Sequence, residues 1–302
     1  MFNHLTALKQ GSTAATVGWD ARTDCGGDRP ENADLQYHGP VTMRQAVRES
    51  RNIPAIKFLQ QYSGIEDTIQ TAHDLGITTE IDPSKVGLAL TLGAKEVKLL
   101  DMASSYGTLA NLGVRTAPTF ILKVEDSRGK VIWEHKDFEQ KRAVDANTAY
   151  VMVDILKDTT QPDRDFVFGN FTNIGRPAGL KTGTTDNLKD VYAVGFTPTL
   201  VTGVWMGNSN GDAMQGISSA LGPGILWREY MKEILNGFPA SDWQRPPNII
   251  EANVVVAPGA FGGNGSGLLP SNLTPFSSRE IFVKGTEPRK IDDWYTAGCT
   301  SA

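Results

Sequence analysis

Two short elements of the chain combine residue types that can do chemistry together. Lys181-Thr182-Gly183-Thr184 places a cation beside hydroxyls, the pairing that binds a carboxylate. Gly183 leaves one side of such a strand bare, so an extended peptide can approach and pair as an added strand. Far upstream, Ser50-Arg51-Asn52 sets a hydroxyl and a side-chain amide between two predicted helices. Each element also has a plain structural reading. A Lys-Thr-Gly tripeptide can end any exposed strand, and serine and asparagine are common where helices stop.

The elements that must position these residues are legible in outline. Leu5 and Leu8 give residues 2–10 helical spacing, with Gly11 as the stop. A Gly- and Asp-rich loop spans residues 20–34. Thr42 can then cap a short helix over 43–49, in which Met43 and Val47 share a face. After Ser50-Arg51-Asn52 a second helix starts near Pro54 and stops at Gly64; others follow over 66–75 and 95–112. Alternation around Asp126-Ser127-Arg128-Gly129 predicts a hairpin of strands 120–124 and 131–134, followed by a helix over 145–157. Strands over 179–184, 191–197 and 200–206 have connections short enough for an antiparallel meander, closed by a helix over 225–235. Beyond Gly237 the Pro- and Gly-punctuated sequence predicts a loop-rich appendage or linker over 238–302, with β-prone pieces such as Val254-Val255-Val256 and Ile281-Phe282-Val283.

Composition narrows the function classes. With 40% apolar and 21% charged residues and a net charge of -5, the 302-residue chain carries no electrostatic footprint for nucleic acid. Pro198 splits the longest uncharged stretch, 191–210, into two strands, which argues against a membrane span. Four histidines, His4, His38, His73 and His135, lack metal-ligand spacing and read as surface or satisfied side chains; no metal and no cofactor is expected. Cys25 and Cys299 stand near opposite ends, and the sequence leaves open whether they pair.

The joint pattern resembles the transpeptidase domain of bifunctional (class A) penicillin-binding proteins. His38-Gly39-Pro40-Val41-Thr42, Arg44-Gln45-Ala46 and Ser50-Arg51-Asn52-Ile53-Pro54-Ala55 are similar to the family's S-x-N region. Leu92-Gly93, Met102-Ala103 and Tyr106-Gly107 resemble the following helix. Leu180 to Asp186 and Gly203-Val204-Trp205-Met206-Gly207-Asn208 resemble the sheet around K-T-G. The resemblance covers residues 2–237. It implies an α+β fold, an antiparallel sheet packed against helices as in the serine β-lactamases, with the N-terminal part missing, and a transpeptidase domain over 1–237.

The implied reaction is serine acyl transfer on the D-Ala-D-Ala end of a peptidoglycan stem peptide. Ser50, Asn52 and Lys181 would be catalytic, and Asn52, Thr182, Gly183 and Thr184 would bind substrate, the Thr184 N–H as half of an oxyanion hole. Implied partners are stem peptides, β-lactams and cell-wall synthesis proteins, on the extracytoplasmic face of the cytoplasmic membrane with an anchor in the missing upstream part. The departure lies at the nucleophile. The family's S-x-x-K should open a helix ahead of Ser50, and Phe2 to Leu8 resembles the stretch just past it, so the motif would fall before Met1. The chain's own Ser127-Arg128-Gly129-Lys130 lies after Ser50 in a hairpin turn and is rejected. Glu233 lies too far downstream to serve as the deacylating glutamate of class A β-lactamases. The chain as written is therefore expected to be inactive; the alternative is a non-catalytic module of the same fold that binds peptidoglycan or a cell-wall synthesis partner.

Overall fold

The computed structural model describes residues 1–27, 29–163, 169–256 and 265–297. In chain order the elements are α1 (Phe2–Lys9), β1 (Val17–Asp20), β2 (Gly39–Thr42), α2 (Met43–Arg48), α3 (Asn52–Phe58), α4 (Ile65–Leu75), α5 (Pro83–Val86) and α6 (Leu99–Ala110). There follow β3 (Val114–Thr116), β4 (Lys123–Glu125), β5 (Val131–Glu134), β6 (Gln140–Arg142), α7 (Ala146–Lys157), α8 (Gly169–Thr172), β7 (Gly179–Thr184), β8 (Asp190–Phe196), β9 (Val201–Gly207), α9 (Ile225–Ile234), β10 (Ile249–Val254) and β11 (Ser278–Val283). Among the described residues no helix is long and apolar enough to cross a membrane.

The meander β7-β8-β9 is the sheet that carries Lys181. Side chains alternate across it with period two. Leu180 and Ala193 pack under α9 with the fully buried Trp227 and Met231. Val194 and Phe196 face the larger core, where α7 lies. Phe196 meets Tyr106 of α6 and Trp243 edge-on at 6.0 and 5.5 Å. Lys181 pairs with Val194 and so projects toward the helical side, where α2 and α3 lie.

Helix α7 is the hub of that side. Asp145 caps it, accepting from the N–H groups of Asn147 and Thr148 at 3.0 Å each. Val151, Met152, Val153, Ile155 and Leu156 are all buried, the all-round apolarity of a helix enclosed by its neighbours. Helix α2 packs on it after its expected cap, with Thr42 Oγ1 accepting from Gln45 N at 3.3 Å.

Several expectations need correction. The helix expected over 95–112 begins only at Leu99, because Gly87–Leu92 forms a 3-10 turn and the backbone at Lys98 is extended. The start of the loop expected over 20–34 is strand: β1 pairs with β2 across the intervening residues, Val17 opposite Thr42 and Asp20 opposite Gly39. The expected strand 120–124 is β4, Lys123–Glu125, irregular against β5 and exposed throughout. Past Gly237, β10 and β11 pair over six residues. Trp243 and Ile249 enter the main core, and Trp243 Nε1 donates to Ala110 O at 2.7 Å. Half-buried Arg44 of α2 also donates to Glu280 of β11, at 2.8 and 2.7 Å, and pairs with Asp154 and Asp158 at 2.6 and 3.0 Å.

Candidate active site

Strand β7 forms one edge of its sheet, and among the described residues the turn after α7 covers that edge at its start. Period two puts the backbone groups of Ala178, Leu180, Thr182 and Thr184 on the outer side. Two threonines of the turn after α7 cap the first of these: Thr160 Oγ1 donates to Ala178 O at 2.7 Å and Thr159 Oγ1 to Leu180 O at 2.8 Å. Lys181 Nζ donates to Thr182 O at 2.8 Å, and Thr184 is exposed. At Gly183 an added Cβ would meet only Tyr192 Cβ, at 3.9 Å. The fold itself therefore does not require glycine there; an approaching chain would.

The same lysine reaches across the molecule: Lys181 Nζ donates to Ser50 Oγ at 2.6 Å. Ser50 occupies the position after the C-cap of α2 in a Schellman motif. Its N–H bonds Val47 O at 3.2 Å, and Arg51 N–H bonds Ala46 O at 2.9 Å. That position requires a left-handed backbone, here φ 54°, and is usually glycine. A serine there gives up about 1 kcal/mol to place a hydroxyl on the lysine. Behind it, burial pushes the Glu49 carboxyl up, against the pull of Arg48 at 3.1 Å; His38 Nδ1 lies 3.5 Å from it.

Asn52 lies one residue beyond Arg51 but does not join the Ser50–Lys181 pair. Its Nδ2 donates to Glu31 O at 2.9 Å, in the loop ahead of β2. The start of α1 lies within reach of the Lys181 charge. The Met1 amine is enclosed, and burial, with the Lys181 charge second, lowers its pKa to about 5. His4 is buried as well, with neither ring nitrogen hydrogen-bonded. Burial first, then the charges of the amine and Lys181, hold it well below the usual histidine range. The expectation of surface or satisfied histidines is thus overturned for His4. Only its position on the buried face with Leu5 and Leu8 could have signalled this.

The rejected Ser127 lies in an exposed turn, where Asp126 Oδ1 accepts from Arg128 and Lys130 N–H at 2.8 and 3.0 Å. Cys25 is free, while Cys299 lies outside the described residues, and with it the question of their pairing.

Comparison with known proteins gives a consistent family. The model of the penicillin binding protein transpeptidase domain matches residues 7–220. Penicillin-binding protein 1A of Aquifex aeolicus is 32% identical over 263 residues, covering 86% of this chain and 33% of that protein. Penicillin-binding protein 2D of Bacillus subtilis is 28% identical over 297 residues, covering 94% and 41%. The chain thus spans about a third of the length of such relatives. Among solved structures, penicillin-binding protein 1A from Haemophilus influenzae superposes with a TM-score of 0.79 at 25% identity, over 96% of this chain and 48% of that one. Penicillin-binding protein PonA1 from Mycobacterium tuberculosis gives 0.71 at 25% identity, over 81% and 69%.

Proposed function

The chain belongs to the penicillin-binding protein transpeptidase domain family, and from that premise we propose that it is the greater part of a D-Ala-D-Ala transpeptidase domain that cross-links peptidoglycan. The observation that carries the reading is the 2.6 Å bond from Lys181 Nζ to Ser50 Oγ, which joins the two motif elements at one point. A stem peptide would lie along the open edge of β7 as an added strand, beside the bare face of Gly183. Its terminal carboxylate would meet the hydroxyls of Thr182 and Thr184 in the field of Lys181. The Thr184 N–H, on that same edge, would stabilise the oxyanion. Asn52 Nδ2 would exchange Glu31 O for a substrate carbonyl, a swap of one acceptor for another.

The nucleophilic serine and its activating lysine would come from a S-x-x-K just upstream of Met1. In support, the start of α1 lies close enough to Lys181 for the lysine's charge to act on the Met1 amine. The serine would attack the penultimate D-Ala carbonyl, the C–N bond would break, and D-alanine would leave. Ser50 would pass a proton toward that leaving amine, its hydroxyl held by Lys181. An amine from a second stem would then take the acyl group, restoring the serine. β-Lactams would acylate the same serine. Residues 1–237 would form the transpeptidase unit and 238–302 an appendage docked on it, at the extracytoplasmic face of the bacterial cytoplasmic membrane.

Labelling with a fluorescent penicillin tests the reading. This chain alone should take no label stable to denaturing electrophoresis, since no residue in it occupies the nucleophile's place. The chain extended upstream through an S-x-x-K should label, and Lys181→Ala in that extension should abolish labelling with the fold intact. Label on the short chain would mean an overlooked nucleophile. An upstream sequence without S-x-x-K would favour the non-catalytic peptidoglycan-binding module.

A further inference from the structure

The active-site hydroxyl of Ser50 and the amide of Asn52 flank a residue that points away from them. Arg51 is 5% exposed, and its guanidinium is fully engaged on the far side of the motif. Nε and Nη2 lie 2.9 and 2.8 Å from Asp20 Oδ2, Nη1 donates to Asp34 Oδ2 at 2.6 Å, and Nη2 donates to Gln36 O at 2.6 Å. Asp20 is wholly buried and serves more than this arginine. Its Oδ1 accepts from Asn32 Nδ2 at 2.6 Å, and its Oδ2 from His38 N at 3.1 Å.

Asn32 carries the network back to the site. It is 2% exposed, and its Oδ1 accepts from the backbone N–H groups of Asn52 and Ile53, at 3.0 and 3.2 Å. These are the first N–H groups of α3, whose own N-cap residue, Arg51, provides no side-chain cap. A side chain twenty positions upstream therefore does the work of a local cap. On the other side of Arg51, the left-handed Ser50 is a conformation that a serine keeps only where its surroundings over-determine it. The hydrophobic contact that usually closes a Schellman motif is replaced here by the ion pair of Arg51 with Asp20.

We propose that Asp20, Arg51 and Asn32 act as positioning residues: the buried Asp20–Arg51 pair holds Ser50 in its left-handed conformation, and Asn32, fixed by Asp20, sets the start of α3 and with it the reach of Asn52. None of the three touches substrate in this arrangement. The inference rests on the reading of Ser50 and Asn52 as site residues, and it assigns the 20–36 loop the task of aligning them. The planar fork of arginine is what the site uses. A lysine at position 51 would keep the charge but lose the paired geometry to Asp20.

The test compares two ligands on the 15N-labelled chain by NMR titration. An N-acylated D-Ala-D-Ala dipeptide needs both the β7 edge and Asn52; free D-alanine needs only the carboxylate-binding end of β7. Wild-type chain should bind both, with shifts at Lys181, Thr182 and Thr184, and with the Asn52 side-chain amide moving only for the dipeptide. Arg51→Lys should weaken the dipeptide about tenfold, the worth of one well-placed hydrogen bond, and leave D-alanine unchanged. Equal dipeptide affinity in Arg51→Lys and wild type would overturn the proposal, and so would equal weakening of both ligands, which would mark a general loss of structure. If wild type binds neither ligand, the reading of the site itself fails. Should Arg51→Lys lower the folded population, Asn32→Ala carries the same comparison: it keeps both partners of the Arg51–Asp20 ion pair and removes the acceptor at Asn52 and Ile53 together with the Nδ2 donor to Asp20 and Gln36.

Discussion

Acidifying the chain from pH 8.0 to 6.5 should cost it stability through one group, the amine of Met1. Met1 as a residue is half-buried, but its amine is enclosed, and its pKa falls from 8.0 to about 5. An amine with a depressed folded pKa is neutral in the folded chain while the unfolded chain takes up a proton. Its stability contribution is therefore fully present above pH 8 and is lost as pH falls toward 5. At pH 8.0 the unfolded amine is half-protonated, and the slope approaches about 1.36 kcal/mol per pH unit only lower in the window, so the integrated loss is roughly 1.6 kcal/mol by pH 6.5. With a urea m-value near 3 kcal/mol/M for a chain of this size, the midpoint should drop by about 0.5 M. The window is chosen to isolate the amine. His4 adds an effect of the same sign that begins as pH nears its ordinary value of 6.5, at the end of the window, and the raised Glu49 carboxyl acts with the opposite sign lower still. Urea unfolding of the free and Nα-acetylated chains at the two pH values decides the matter. Acetylation should flatten the dependence, whatever it does to the midpoint itself. Equal pH dependence in the two chains would refute the argument and put the amine in solvent.

Other variants probe the site and its frame. Ser50→Gly and Ser50→Ala both remove the hydroxyl from Lys181, but glycine suits φ 54°, so it should be the more stable of the two by about 1 kcal/mol in urea melts. Gly183→Ala should leave stability within about 0.5 kcal/mol, since its Cβ meets only Tyr192 Cβ at 3.9 Å, while weakening an acyl-D-Ala-D-Ala ligand at least tenfold, as read by titration. Gly195→Ala should do the reverse, destabilising by roughly 1–3 kcal/mol because its Cβ would stand 2.5 Å from Trp227 Cζ2. Arg44→Ala would leave Asp158 and Glu280 buried without their cation, at a cost of about 3–5 kcal/mol by chemical denaturation, with faster hydrogen exchange in β11.

What the sequence made legible was what depends on neighbours in the chain. The meander could be read from alternation and short connections, and α2 and α7 from the capping residues Thr42 and Asp145. The two motif elements of the candidate site could be singled out by their residue types, and the fold brings Lys181 and Ser50 together. What stayed hidden depends on distant partners. Strand β1 pairs with β2 across a long loop, so nothing adjacent to Val17-Gly18-Trp19-Asp20 announced a strand. The residues at 95–98 include good helix formers, but the 3-10 turn before them ends at left-handed Gly93 and the backbone at Lys98 is extended, so the helix starts only at Leu99. Nothing local marks the middle residue of Ser50-Arg51-Asn52, since only the fold brings Asp20 against Arg51 and Asn32 against Asp20 and the start of α3. Ser50 itself is the instructive case. Local preference at a position after a helix C-cap calls for glycine, and this chain pays that preference to put a hydroxyl on a lysine far along the sequence. Where local and global demands conflict and the strained choice is kept, the fold has no use for it, and the cause must be sought in chemistry. By that criterion Ser50 is marked by its backbone and Gly183 by its empty surroundings, two independent signs that meet at Lys181.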